Sequence, residues 1–233
     1  MRRKRLLAAA LAVLLALPLS LTGVGSSVKA ENKNNERYYY NQLNADAKGI
    51  YDAMYKMYEK GIFKTGEQGY DLVANGHITS EQLAAYNEKT ILSVFGAARD
   101  AFYADYPDIF YVDFSSLSIS VTEKPAPDSS VSDNDAMVYG ASLGTGRADT
   151  YFTQGFTSQS AVEDAIKAHE SRISEIVQGA RSQSSSVEEQ VIYVNNAIIE
   201  NTVYTAAAGN NEYVRTSYGA LVEGKSLCEG YAR

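Results

Sequence analysis

At 233 residues the chain has room for one large domain or two small ones, and its apolar content is ordinary for a globular protein. A formal charge of −7, from 28 acidic and 21 basic residues, argues against nucleic acid as a partner, because phosphate binding needs clustered Lys and Arg. One cysteine excludes an internal disulfide, and one cysteine with two isolated histidines is too few for a zinc site.

Residues 1–30 read as a secretory signal. Arg2, Arg3, Lys4 and Arg5 form the basic segment, Leu6 to Leu21 the apolar run, and Val28-Lys29-Ala30 supplies small residues for cleavage. The run is short for a membrane span, which needs about 20 apolar residues. No cysteine follows it to carry a lipid. The expectation is a secreted or cell-surface protein with no stable membrane insertion after cleavage. Losing Arg2, Arg3, Lys4, Arg5 and Lys29, and no acid, would take the formal charge from −7 to −12.

Beyond a polar leader at residues 31–36, Asn44 is a good N-cap for a helix. Ala47, Ile50, Tyr51, Met54, Met57 and Tyr58 recur along it at helical spacing, and Gly61 can end it. A second helix is predicted from Thr79, with Gln82 completing a capping box, and runs through Leu83, Tyr86, Ile91, Val94, Phe95, Ala98 and Phe102 until Pro107 stops it. Ile109 to Val121 is rich in aromatic and β-branched residues and reads as a strand. Residues 123–135 read as a loop. Ala136 to Ser142 and Thr150 to Thr157 read as two strands of a hairpin. A third helix is predicted from Ser160, capped against Glu163, with Val162, Ile166, His169, Ile173, Ile176, Val177 and Ala180 on its apolar stripe. The Ser-rich Arg181 to Ser186 is the candidate domain boundary. A fourth helix starts near Ser185 with Glu188 three residues on, and Tyr204 to Tyr218 reads as a polar loop. Helices, strands and then helices point to α+β. The predicted organisation is a signal at 1–30, a helix-rich α+β region with a small antiparallel sheet at 31–185, and a separate segment at 186–233.

The chemistry concentrates at the last ten residues. Cys228 lies in Ser226-Leu227-Cys228-Glu229, a capping-box spacing that puts the thiol in the first turn of a helix, where unpaired N–H groups favour a thiolate. The alternative for the same residue is a small buried side chain opening a packing helix. His169 falls in register with an apolar stripe and reads as a core histidine. His77, in Asn75-Gly76-His77, reads as a turn residue, and neither is assigned a catalytic role. Asp105-Tyr106-Pro107-Asp108 is explained by turn chemistry. Gly140 to Gly146 lacks the Lys-Ser/Thr of a phosphate loop. No cofactor and no metal are expected. The 18 tyrosines, against 7 phenylalanines, read first as core and sheet material, with a wet binding face as the alternative.

The run Tyr218-Gly219-Ala220-Leu221-Val222-Glu223-Gly224-Lys225-Ser226-Leu227-Cys228-Glu229-Gly230-Tyr231-Ala232 resembles the nucleophile segment of secreted bacterial transglutaminase-like proteins, which have a papain-like fold. The resemblance to the family reaches back more weakly through Ile198 to Tyr204 and through Ala101 to Asp113. The resemblance implies that Cys228 is the nucleophile, that residues 186–233 open the papain-like core, and that the substrate is a protein or peptide, a cell-wall peptide among the candidates. In that superfamily a His and an Asp follow the Cys. None follows here and the chain has no Trp, so the expectation is an N-terminal fragment of such an enzyme, inactive as it stands. The alternative is a non-catalytic exported module that binds cell wall or protein.

Overall fold

A computed structural model describes residues 37–125, 137–147, 150–205 and 212–233. The chain is α+β, as the order of elements led us to expect. By internal contacts the described chain forms two compact units, residues 37–159 and 160–233. The secretory signal at 1–30 and the leader at 31–36 lie outside the described residues.

The unit 37–159 is built on two long helices. Asn44 caps α1 (Ala45–Glu59), its side chain accepting from Ala47 N at 2.9 Å. A left-handed Gly61 (φ 72°) then turns the chain into the short α2 (Ile62–Thr65). β1 (Tyr70–Asp71) follows. The Thr79–Gln82 capping box forms in full at the start of α3 (Ser80–Ala85). The helix predicted to continue to Pro107 instead stops at Tyr86. Asn87 adopts extended backbone and caps a new helix, α4 (Glu88–Asp105), by accepting from Thr90 N at 2.8 Å. An Asn that offers its own acceptor to the next turn competes with helix continuation. α4 packs on α1 through Ile91, Phe95, Ala98, Ala101 and Phe102.

The strand predicted over Ile109 to Val121 begins only at Leu117. Ile109 to Val112 are all buried and held in tight turns, so they do not alternate as a half-exposed strand does. Asp113 then accepts from Ser115 N at 3.1 Å and turns the chain. β2 (Leu117–Pro125) pairs antiparallel with β3 (Met137–Thr145), and β1 closes the sheet on the other side of β3, giving the order β1-β3-β2. Two expectations change here. Residues 123–125, read as loop, belong to β2. Among the described residues, the predicted hairpin partner of β3 at Thr150 to Thr157 makes one bridge, Phe152 with Val112. Strand pairing is non-local, and β-propensity alone does not choose the partner.

In the unit 160–233, α5 (Gln159–Gln183) starts one residue before the predicted cap, Ser160. A turn at 184–186 leads to α6 (Val187–Asn201), where Ser186 rather than Ser185 is the N-cap and makes no side-chain bond to the helix. Gln190 instead ties the turn by donating to Ser184 O at 2.7 Å. The Tyr193 ring of α6 reaches over Gly179 of α5, where a Cβ would come 2.8 Å from Tyr193 Cζ. β4 (Val203–Tyr204), a 3-10 turn at Glu212–Arg215, α7 (Ser217–Leu221), β5 (Lys225–Ser226) and α8 (Cys228–Ala232) complete the unit. β4 and β5 are parallel. Among the described residues, no helix is long and apolar enough to cross a membrane.

Candidate functional site

Cys228 is exposed and is the first residue of α8. The turn that carries it is assembled from residues of the 218–232 run and from the backbone around Val203 and Val214. Gly224 takes a positive φ of 63° and hands its carbonyl to Val203 N at 2.8 Å. Lys225 and Ser226 pair with Val203 and Tyr204, and Thr205 N donates to Ser226 O at 3.0 Å. The carbonyl of the buried Val214 accepts from Leu227 N at 2.9 Å and faces Ser226 Oγ at 3.2 Å. Gly230 lies where no larger residue fits. A Cβ there would collide with Ser226 Oγ and come 2.8 Å from both Thr216 O and Val214 O. Tyr231 then reaches back, its hydroxyl donating to Thr202 O at 2.6 Å, while Thr202 Oγ1 donates to Ala220 O at 2.8 Å.

The predicted capping box does not form. Leu227, with φ −86° and ψ 172°, is the N-cap and has no side-chain acceptor to offer. Ser226 is held extended by β4 and fully buried, its hydroxyl shared between the carbonyls of Val214 and Leu227. The helix therefore begins one residue later than a Ser226 cap would set it. Glu229, freed from a capping role, sits between Arg215 at 3.7 Å and Arg233 at 3.6 Å. These half-exposed pairs contribute little energy. They do offset the negative charge next to the thiol.

Tyr204 to Tyr218, read as a plain loop, supplies much of this support. Thr216 caps α7 by accepting from Gly219 N at 3.4 Å. Tyr218 donates to Glu223 at 2.9 Å, and burial, reinforced by that carboxylate, pushes the Tyr218 phenol up to about 12. The legible signal was Thr216 three residues ahead of Gly219. The role of the Val214 carbonyl carries no sequence signal at all.

The two histidines are engaged elsewhere. His77 Nε2 lies 3.2 Å from Tyr70 Oη in the unit 37–159, and burial lowers its proton affinity. His169 is buried on α5, as its register predicted, and desolvation takes its pKa down to about 4, so it is neutral at physiological pH. Among the described residues, no group of three or more His, Cys, Asp or Glu could hold a metal. Two open grooves mark this unit, one between α5 and α6 lined by Arg172, Tyr193 and Glu200, the other lined by Ser171, Leu221 and Gly224; Cys228 lines neither. No protein-family model matches the chain, and no curated protein is significantly similar to it.

Proposed function

We propose that Cys228 is the nucleophile of an exported transglutaminase-like cysteine enzyme, and that residues 186–233 belong to the opening of a papain-like core. The observation that carries this reading is an exposed thiol on the first residue of a helix, at a strand-to-helix turn fixed by Gly224, Ser226, Gly230 and Tyr231. In the reaction, Sγ attacks an amide carbonyl of a protein or peptide. The C–N bond breaks, the amine leaves with a proton, and a thioester forms. Water resolves it to an acid, or a second amine to a new amide, and the thiol returns. First-turn N–H groups of a helix suit the developing oxyanion.

Neither histidine is assigned to the thiol as base, so we expect acylation without turnover from the 233-residue chain. An activated acyl ester should place one acyl group on Cys228, seen by mass spectrometry, and Cys228→Ala should carry none. A thiol in the folded chain that resists both acylation and alkylation would end this reading. Export belongs to the same proposal: the secreted product should begin at Glu31, and finding Met1 intact in a membrane fraction would contradict it.

One observation favours a second reading, a non-catalytic module that binds cell wall or protein. Tyr38 and Tyr39, 66% and 47% exposed, stand edge to face at 5.2 Å on the unit 37–159. Sedimentation with purified cell wall that is lost in a Tyr38→Ala/Tyr39→Ala variant and retained in Cys228→Ala would select it.

A further inference from the structure

The start of the unit 37–159 contains a cation held among aromatic rings. The Arg37 guanidinium carbon lies 4.2 Å from the centroid of Tyr55, 5.4 Å from Tyr40 and 5.7 Å from Tyr51. All three distances fall within the range of cation–π attraction, which is worth about 0.5–1 kcal/mol per ring at exposed sites and more when water is excluded. Tyr51 is fully buried and forms the floor, while Tyr40 and Tyr55 are half-buried walls.

The polar contacts suit a planar cation with several donors. Arg37 Nη1 lies 3.4 Å from Asp52 Oδ1, and the neighbouring Tyr106 phenol also favours the charged guanidinium. Asp52 is itself fixed, since Tyr40 donates to its other oxygen at 3.1 Å. The walls are also set from behind. Asp105, at the end of α4, accepts from Tyr39 N and Tyr40 N, both at 3.0 Å, and from the Tyr51 hydroxyl at 2.9 Å. These bonds place the Tyr40 and Tyr51 rings through contacts that do not involve Arg37.

We propose that this cage is a guanidinium-binding site, held by Arg37 in the free chain and open to an arginine side chain of a partner polypeptide when Arg37 leaves. Planarity favours guanidinium over ammonium: a flat cation can lie against the ring faces and still turn an edge N–H toward Asp52. A compact ammonium has no flat face to lay against the rings while its donor reaches the carboxylate. The resident arginine is a quarter exposed and its ion pair is long, so it is replaceable. It is also tethered, so an external ligand competes against a high local concentration of the occupant. A single free cation will therefore bind the intact chain weakly.

The test removes the occupant from the full chain. Arg37→Ala should bind N-methylguanidinium and the peptide acetyl-Gly-Arg-Gly-amide with dissociation constants of roughly millimolar, about tenfold or more tighter than the parent chain, followed by NMR shifts of the tyrosine rings. Methylammonium at equal ionic strength should bind less well. Adding Asp52→Asn or Tyr55→Ala to Arg37→Ala should weaken binding by about tenfold, the size of one good contact. If Arg37→Ala fails to fold, Arg37→Gln keeps the stem without the charge and carries the same titration. Equal binding by parent and Arg37 variants, or binding unaffected by Asp52→Asn and Tyr55→Ala, would overturn the proposal. Lys48 Nζ lies 5.2 Å from the Tyr40 ring, so the titrations are repeated in Lys48→Ala to show that this second cation is not the group being displaced.

Discussion

Gly230 is the point where the Cys228 turn tolerates least. A methyl group there meets two carbonyl oxygens and the buried Ser226 hydroxyl, all on rigid backbone or fully buried, so α8 must move. Overpacking of this kind costs about 1–3 kcal/mol. Gly230→Ala should lower the melting temperature and change the alkylation rate of Cys228 together, whereas an unchanged rate would show that the turn does not control the thiol. His169 offers a prediction in pH. Its pKa is about 4 in the fold, below the ordinary 6.5, so the unfolded chain binds its proton first. Neutral His169 is therefore compatible with full stability above about pH 6.5. The penalty grows as pH falls from there through about 4, reaching roughly 3 kcal/mol at ~1.4 kcal/mol per unit. In urea titrations, the stability difference between parent and His169→Leu should shift in favour of the variant across that window. A difference independent of pH would mean that the imidazole does not titrate there.

Among the elements, end signals decided more than periodicity did. Asn44 and Thr79 were legible because a short polar side chain followed by helical spacing has one local solution, and both caps form as expected. Asn87 sends the same signal inside an apolar stripe that continues on both sides, so the stripe hid the break between α3 and α4. Asn87→Ala removes the acceptor for Thr90 N and should cost about 1 kcal/mol, measurable as a lower urea midpoint at unchanged slope. No loss of stability would mean the break is imposed by packing around Leu83 and Ile91 and not by the cap. Ser226 shows the opposite failure. Its spacing to Glu229 fits a capping box, but pairing with β4 holds it extended and buried, and tertiary structure overrides the local pattern. Strand partners were the least legible feature. β1 is two residues long, and its pairing with β3 depends on contacts about 70 positions away that no local window contains.

At the scale of the molecule, the two units differ in what they bury. The unit 37–159 has a continuous aromatic core: Tyr51 meets Phe102 at 5.1 Å, Phe63 meets Tyr151 at 5.3 Å, and Tyr103 stacks on Phe114 at 4.6 Å. Aromatic pairs of this geometry add about 0.5–1.5 kcal/mol each beyond their buried area. Distant segments are also tied by hydrogen bonds. Asp113 N donates to Tyr151 O and Thr153 N to Tyr111 O, both at 2.7 Å, and the Tyr151 hydroxyl donates to Glu67 O at 3.0 Å. The ion pair of Arg147 with the largely buried Asp113, at 2.8 Å, closes the same region. In the other unit, α6 buries only Val191, while Ile192, Ile199, Val203 and Tyr204 are exposed. Burial of apolar surface is the main favourable term in folding, and a chain of the size of 37–159 is long enough to fold on such a core. A polypeptide of residues 37–159 should therefore melt in one cooperative transition and give a dispersed amide spectrum. Residues 160–233 alone should give neither, because too little of α6 is removed from water to offset its conformational entropy. A collapsed, poorly dispersed spectrum from 37–159 would show that its core is not sufficient, and a cooperative melt from 160–233 would show that the exposed side of α6 is not the weak point we take it to be.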